Sequence, residues 1–399
     1  MKLKKINWVV IAFSFTFLCI AYAVGLHNQN GFVRTFPYIT DQWMYIDSNG
    51  EKTKGLLKID NELYFFDEHT GKMLRGLKNI DNNTYYFNQD GKAAKGFIEI
   101  NNEGYFFDKN HHLIKNKWKT YRADQHKRTS FFGEDGKMKI GTFTWKNKKY
   151  TTDSKGNVIY DLSQLQSGLE KILSKYEGQI GIYFEDLRTN SVININDKVM
   201  YPCCMVKIPA LIEIYRQSEL ENINLSDNSY YIENMITVSD NTCFNKLMSD
   251  LGGIEGLYKV NKLCLNAGMS HTQLHHGLRP GEYFFTDGGS NVSCPSDIGK
   301  LLKQLYEGKL VSKQSKEEVI NLLSRCEDYT KLQRGLPDAI QFAHKTGDAD
   351  EFHHDGGIVY LKDAEYILVV FTEDVFNFEA LMQEVSEYTY NFQLKNHFE

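Results

Sequence analysis

A cysteine three residues ahead of a lysine pairs a nucleophile with a proton partner, and Cys204-Met205-Val206-Lys207 has that spacing. After Ile208-Pro209, the run Ala210–Tyr215 continues as a helix, which puts Cys204 at a helix start. There the positive end of the helix dipole favours an anion. A lysine one turn on returns to the same face. Its ammonium can lower the thiol's pKa, or its free amine can take the thiol's proton. Two tripeptides with polar side chains follow in order, Ser239-Asp240-Asn241 and Lys345-Thr346-Gly347. A second Ser-Asp-Asn at 226–228 sits in a polar loop. The copy at 239–241 is chosen because a helical pattern with Phe244, Asn245 and Leu247 follows it.

The other reactive side chains form no comparable pattern. Beyond Cys19 and Cys204, cysteines occur at Cys203, Cys243, Cys264, Cys294 and Cys326. Outside a cell the six cysteines after Cys19, Cys204 included, could pair, but a domain of this size does not require it. No Cys-x-x-Cys offers a structural zinc site. His275-His276 and His353-His354 are adjacent pairs, whose rings point different ways, and they are expected in loops or at the surface. Neither a metal nor a cofactor is called for.

Sequence periodicity gives the elements that position these residues. Asp161 opens a helix with Leu165, Leu169, Ile172 and Leu173 at helical spacing, and Gly178 stops it. Gln179–Leu187 and Ser191–Ile195 read as strands around an Arg188-Thr189-Asn190 turn. Gly357–Leu361 and Tyr366–Thr372 are strands, and an amphipathic helix runs from Phe376 to Asn391. Strands at both ends with helices between predict one sheet sandwiched between terminal helices and a helical insert.

The three motifs together resemble the S-x-x-K, S-D-N and K-T-G set of class A β-lactamases and penicillin-binding proteins, over residues 161–399. The resemblance implies an α/β (α+β) three-layer sandwich with a helical subdomain, and an acyl-transfer hydrolase acting on β-lactams or D-alanyl peptides. It assigns Cys204 the nucleophile's place, Lys207 the proton transfer, and Ser239 the delivery of a proton to the leaving nitrogen. Asn241, Lys345, Thr346 and Gly347 would bind substrate, with backbone N–H groups of Cys204 and Asp348 as the oxyanion hole.

The chain departs from the family in three places. Cys204 stands where the family has serine, which leaves two alternatives open: an active thiol, or an inactive pocket that binds without turnover. No Glu-x-x-Leu-Asn occurs between the second and third motifs; Glu282 and Asp287 are the carboxylates before Asp297 there, and both are expected at the surface. An acyl-enzyme would therefore persist. The link from Lys207 to Ser239 is also short, trimming the helical subdomain.

The N-terminal half is organised differently. Lys2, Lys4 and Lys5 precede an apolar run from Ile6 to Leu26, an export signal that is either cleaved after Ala21-Tyr22-Ala23 or retained as an anchor. A linker, 27–42, leads to a repetitive stretch over 43–160 with a period of about twenty residues. Segments such as Leu63-Tyr64-Phe65-Phe66-Asp67…Gly71 and Thr84-Tyr85-Tyr86-Phe87-Asn88…Gly91 read as an aromatic strand, an Asp/Asn–Gly turn and a short second strand. These units resemble the cell-wall-binding repeats of choline-binding proteins, an all-β hairpin array. The resemblance implies docking on wall glycan or teichoic acid, with a β-lactam or peptidoglycan stem peptide as partner in the cleft. The family's tryptophan after the second glycine is kept at Trp118 and replaced at Leu56, Leu77, Phe97 and Thr142. A net charge of −5 gives no argument for nucleic acid.

Overall fold

The computed structural model describes residues 31–34, 42–123, 126–280, 285–362 and 364–395. The export segment, most of the linker and Glu282 lie outside them. Among the described residues no helix is long and apolar enough to cross a membrane. The described residues fall into two compact units, up to 126 with 130–141, and 127–129 with 142 onward.

The first unit is a series of two-stranded hairpins, among them Gly55–Ile59 with Glu62–Phe66, Gly76–Ile80 with Asn83–Phe87, and Gly96–Ile100 with Glu103–Phe107. The strand order differs from the expected one. Each aromatic strand pairs with the strand before it, across Asp60-Asn61, Asp81-Asn82 or Asn101-Asn102. Both residues of each pair have positive φ, the twist a tight hairpin turn needs. The Asp…Gly segment also turns the chain back, with Met73, Ala93 and Leu113 bridging antiparallel to Phe66, Phe87 and Phe107 as the expected short second strand, and it leads on to the next hairpin. There the side chain of Asp47, Asp67, Asn88 or Asp108 accepts backbone N–H groups two to four residues on. Each link then donates to an earlier hairpin, as Met73 N–H does to Trp43 O and Ala93 N–H to Leu63 O. Phe66, Phe87, Phe107 and Phe132 are fully buried, which a single hairpin could not achieve alone.

The second unit is built on a five-stranded antiparallel sheet. Its order is Ser191–Ile195, Gln179–Asp186, Tyr366–Glu373, Phe352–Tyr360 and Gln341–Ala349. Alternate residues face opposite sides. Ile182, Phe184, Leu368 and Val370 pack with helices Ser163–Leu173 and Phe378–Lys395. Tyr183, Ile367, Val369 and Phe371 pack beneath the helical part. That part centres on helix Lys207–Glu219, where Ile208, Ala210, Leu211, Ile212 and Ile214 are all fully buried. A helix apolar on every side belongs in a core. The three-layer sandwich with a helical insert is thus present, with the third motif on the edge strand.

A buried ion pair sits where the first two sheet strands turn. Arg188 Nη2 lies 2.6 Å from Asp186 Oδ2, both side chains are nearly inaccessible, and Gln393 Nε2 donates to the same carboxylate at 3.0 Å. Removing one partner strands the other charge in the interior. Asp186→Ala should therefore destabilise the unit by about 3–5 kcal/mol in chemical denaturation. A loss under 1 kcal/mol would show that Arg188 finds water or another anion.

Candidate active site

Cys204 lies in the 3₁₀ turn Cys203–Val206, which runs directly into helix Lys207–Glu219. Cys204 therefore precedes the α-helix by one tight turn. Cys203 has φ of +50°, a conformation rare outside glycine and asparagine. The turn is held from the edge strand: a Cβ at Gly347 would meet Cys203 Cβ at 2.9 Å and Cys204 N at 3.0 Å. Glycine at 347 is what lets strand and turn touch.

Lys207 is completely buried and joins the first two motifs. Its Nζ donates to Ser239 O at 2.6 Å, Asn241 Oδ1 at 2.6 Å, Cys204 Sγ at 3.2 Å and Ser239 Oγ at 3.3 Å. Asp240 is the N-cap of helix Asn241–Asp250, accepting from Cys243 N–H at 2.7 Å, so the middle residue of that motif is structural. The helix start fixes Asn241, and Ser239 bends toward the lysine with φ of +61°.

The electrostatics act to lower the pKa of the Cys204 thiol. Burial raises the Cys204 thiol, but the ammonium groups of Lys207 and Lys345 and hydrogen bonds from Ser239 and Lys207 outweigh it and hold it below the ordinary thiol range. Burial pushes the Lys207 amine down to about 8, with Lys345 acting in the same direction. Burial pushes Cys243 and Cys294 up to about 11, and raises Cys203 and Cys264 further. All six described cysteines are free thiols.

The edge strand Gln341–Ala349 supplies the third motif. Lys345 and Thr346 are buried, and Lys345 Nζ donates to Thr346 O at 2.9 Å. Cys204, Asn241 and Asp348 line a cavity of about 670 Å³. Cys204, Ser239, Asn241, Thr346 and Asp348 line a second of about 480 Å³. The Asn241 amide, expected to bind substrate, donates to Arg279 O at 2.7 Å. Asn245 holds the same segment through Leu278 and Pro280.

Several supporting residues carry no signal in the sequence. Buried Lys331 binds both Asp328 at 2.5 Å and Asp348 at 2.9 Å. His353 Nδ1 lies 2.8 Å from Asp348 Oδ1, and its ring stacks on Phe378 at 3.6 Å. The pair His353-His354 lies on strand Phe352–Tyr360; His353 stays partly exposed, and the expected surface placement fails for His354. His354 is fully buried against Phe371. Its Nδ1 accepts from Thr372 N–H and its Nε2 donates to Tyr201 O at 2.8 Å, which fixes the chain just before Cys203. Burial pushes its imidazole down to about 4, so it holds this tautomer at neutral pH. Asp287 is engaged by His275 at 2.9 Å. His271, Cys294 and Asp297 bring potential ligand atoms within 4.8 Å of one another. However, Asp297 already accepts from His271 N–H, Thr272 Oγ1 and Lys300 Nζ, protein donors that take the place of a cation.

In the first unit, Phe32, Trp43, Tyr64 and Met73 line a cavity of about 480 Å³ together with Arg75, Asp90 and Lys92. Trp118 is buried against Phe131 and serves packing.

Comparison with known proteins agrees with this geometry. Among solved structures, PBP-A superposes with a TM-score of 0.53 and 22% identity, covering 59% of this chain and 97% of its own. The β-lactamase from Sphaerobacter thermophilus gives 0.52 and 19%, covering 59% and 98%. The TLA-3 extended-spectrum β-lactamase gives 0.52 and 20%, covering 58% and 98%. These likenesses establish the fold. Residues 35–76 and 74–118 match the choline-binding repeat. Residues 164–231 and 228–393 match the model described as the Beta-lactamase enzyme family, more than half of the 399 residues, and the chain belongs to that family.

Proposed function

We propose that this chain is an exported, wall-docked acyl-transfer enzyme whose Cys204 attacks the carbonyl of a β-lactam or a D-alanyl peptide. The 3.2 Å contact between Cys204 Sγ and Lys207 Nζ carries the reading, because it gives the thiol a proton partner inside the cleft. In the proposed step the thiolate adds to the carbonyl carbon. The N–H groups of Cys204 and Asp348 receive the developing oxyanion. The proton on Lys207 passes by way of Ser239 Oγ to the leaving nitrogen as the C–N bond breaks. Lys345 and Thr346 hold the substrate's carboxylate. The product is a thioester on Cys204. A binding module without turnover is the second reading, favoured by the Asn241 amide being occupied by Arg279 O.

Intact-mass analysis after exposure to penicillin G separates the two. The enzyme reading expects a stable one-to-one adduct on Cys204 of the natural chain. An adduct on the Cys204→Ser variant alone means a competent pocket silenced by the thiol. No adduct on either, in folded samples, leaves the binding module.

The lysine's part is tested by alkylation kinetics. Lys207→Ala removes a cation that lowers the thiol's pKa, so that pKa rises and less thiolate exists at neutral pH. Alkylation of Cys204 at pH 7 should slow by roughly 10-fold, with the rate profile displaced to higher pH. Cys326 should be unaffected. An unchanged profile would remove Lys207 from the proposal.

The repeats are proposed to hold the enzyme on choline-bearing wall polymer at the cell surface. The full chain should sediment with purified Gram-positive wall, and a chain lacking 43–141 should not. Free choline should elute it weakly, since Arg75 and Lys92 line the aromatic cavity and disfavour a bare cation. Strong elution by choline would overturn that point.

A further inference from the structure

We infer that Glu327 is the general base that releases the acyl group from Cys204, acting from the face of the cleft bearing Ser239. This rests on the acylation proposed above. The cavity on that face holds Cys204, Ser239 and Thr346 together with three carboxylates, Glu327, Asp328 and Asp348. Lys331 binds two of the three, Asp328 and Asp348. Burial works against Asp328, yet Lys331 and Thr330 hold its carboxyl well below the usual range, which makes it a poor base. The Glu327 carboxylate has no partner among the described residues and lies exposed, within reach of water.

The segment carrying Glu327 is fixed to the site. Glu327 N–H donates to Thr237 O at 2.9 Å, two residues before Ser239. Arg325 Nη1 lies 2.7 Å from Glu233 on helix Ser229–Thr237, and Gln341 Nε2 of the edge strand donates to Ser324 Oγ at 2.8 Å. A base anchored to the loop and strand that frame the nucleophile keeps its distance from the acyl carbon. In the step itself, Glu327 takes a proton from water as the oxygen adds to the thioester carbon. The tetrahedral adduct collapses, the C–S bond breaks, and the sulfur leaves with the electron pair as the Cys204 thiolate beside Lys207. The products are the free acid and, once the proton held by Glu327 is lost to solvent and Lys207 takes one up from solvent, the regenerated enzyme.

The test follows decay of the adduct on the full chain by intact mass. The adduct is made with penicillin G and, separately, with p-nitrophenyl acetate, which acetylates a reactive thiolate whether or not the cleft accepts a β-lactam. Glu327→Gln should lengthen the adduct's half-life by about 10-fold or more while formation stays within about twofold. Asp287→Asn should change neither rate. Equal half-lives, or slowed formation with unchanged decay, would overturn the assignment. An acetyl adduct without a penicillin adduct would defeat the β-lactam reading while leaving Glu327 to be judged on the acetyl group. No adduct from either reagent would defeat both.

Discussion

The site in the second unit is organised around the buried amine of Lys207. Lys207 is fully inaccessible, and an uncompensated charge in such a place costs several kcal/mol. Its burial requires acceptors from two separate elements, the Ser239 carbonyl and the Asn241 side chain. That requirement fixes the loop between helices Ser229–Thr237 and Asn241–Asp250, explains the left-handed Ser239, and makes Asp240 a cap. The same ammonium, with Lys345, acts on the Cys204 thiol from inside the cleft and favours negative charge at that position. A thiolate at Cys204 supplies it.

Replacing serine with cysteine changes the balance of this site. A hydroxyl needs its proton removed during attack, whereas a thiol beside a buried ammonium can lose it beforehand. In the proposed mechanism the Cys204–Lys207 pair would rest as an ion pair. The proton held by Lys207 is available for the leaving nitrogen from the outset. The second cysteine, Cys203, does not share this setting: it is buried, its thiol is raised, and its strained backbone serves to present residue 204.

Much of this was legible in the sequence, for physical reasons that also mark the limits. The terminal helices and inner strands follow from periodicity, because each buries one face on the same sheet. The three motifs were readable because each needs fixed local spacing: a helical turn for Cys204 and Lys207, a cap for Asn241, a close approach for Gly347. The longer pairing of each aromatic strand with the strand before it was missed because Asp60-Asn61 and the Asp67…Gly71 segment both carry turn residues, and both do turn the chain. Only the positive φ at both Asp60 and Asn61 distinguishes the hairpin turn. Lys331 was invisible because its partners lie three and seventeen residues away with no shared period. His354 was misplaced because two adjacent histidines suggest exposure, whereas on a strand covered on both faces each finds its own partner.

The central claim is that Cys204 rests as a thiolate because of the charges around it. Titrating the ultraviolet thiolate absorbance of the natural chain against a Cys204→Ala variant measures this directly. The difference should show one group ionising below the ordinary thiol pKa of about 8.5. A difference ionising at or above that value would contradict the account.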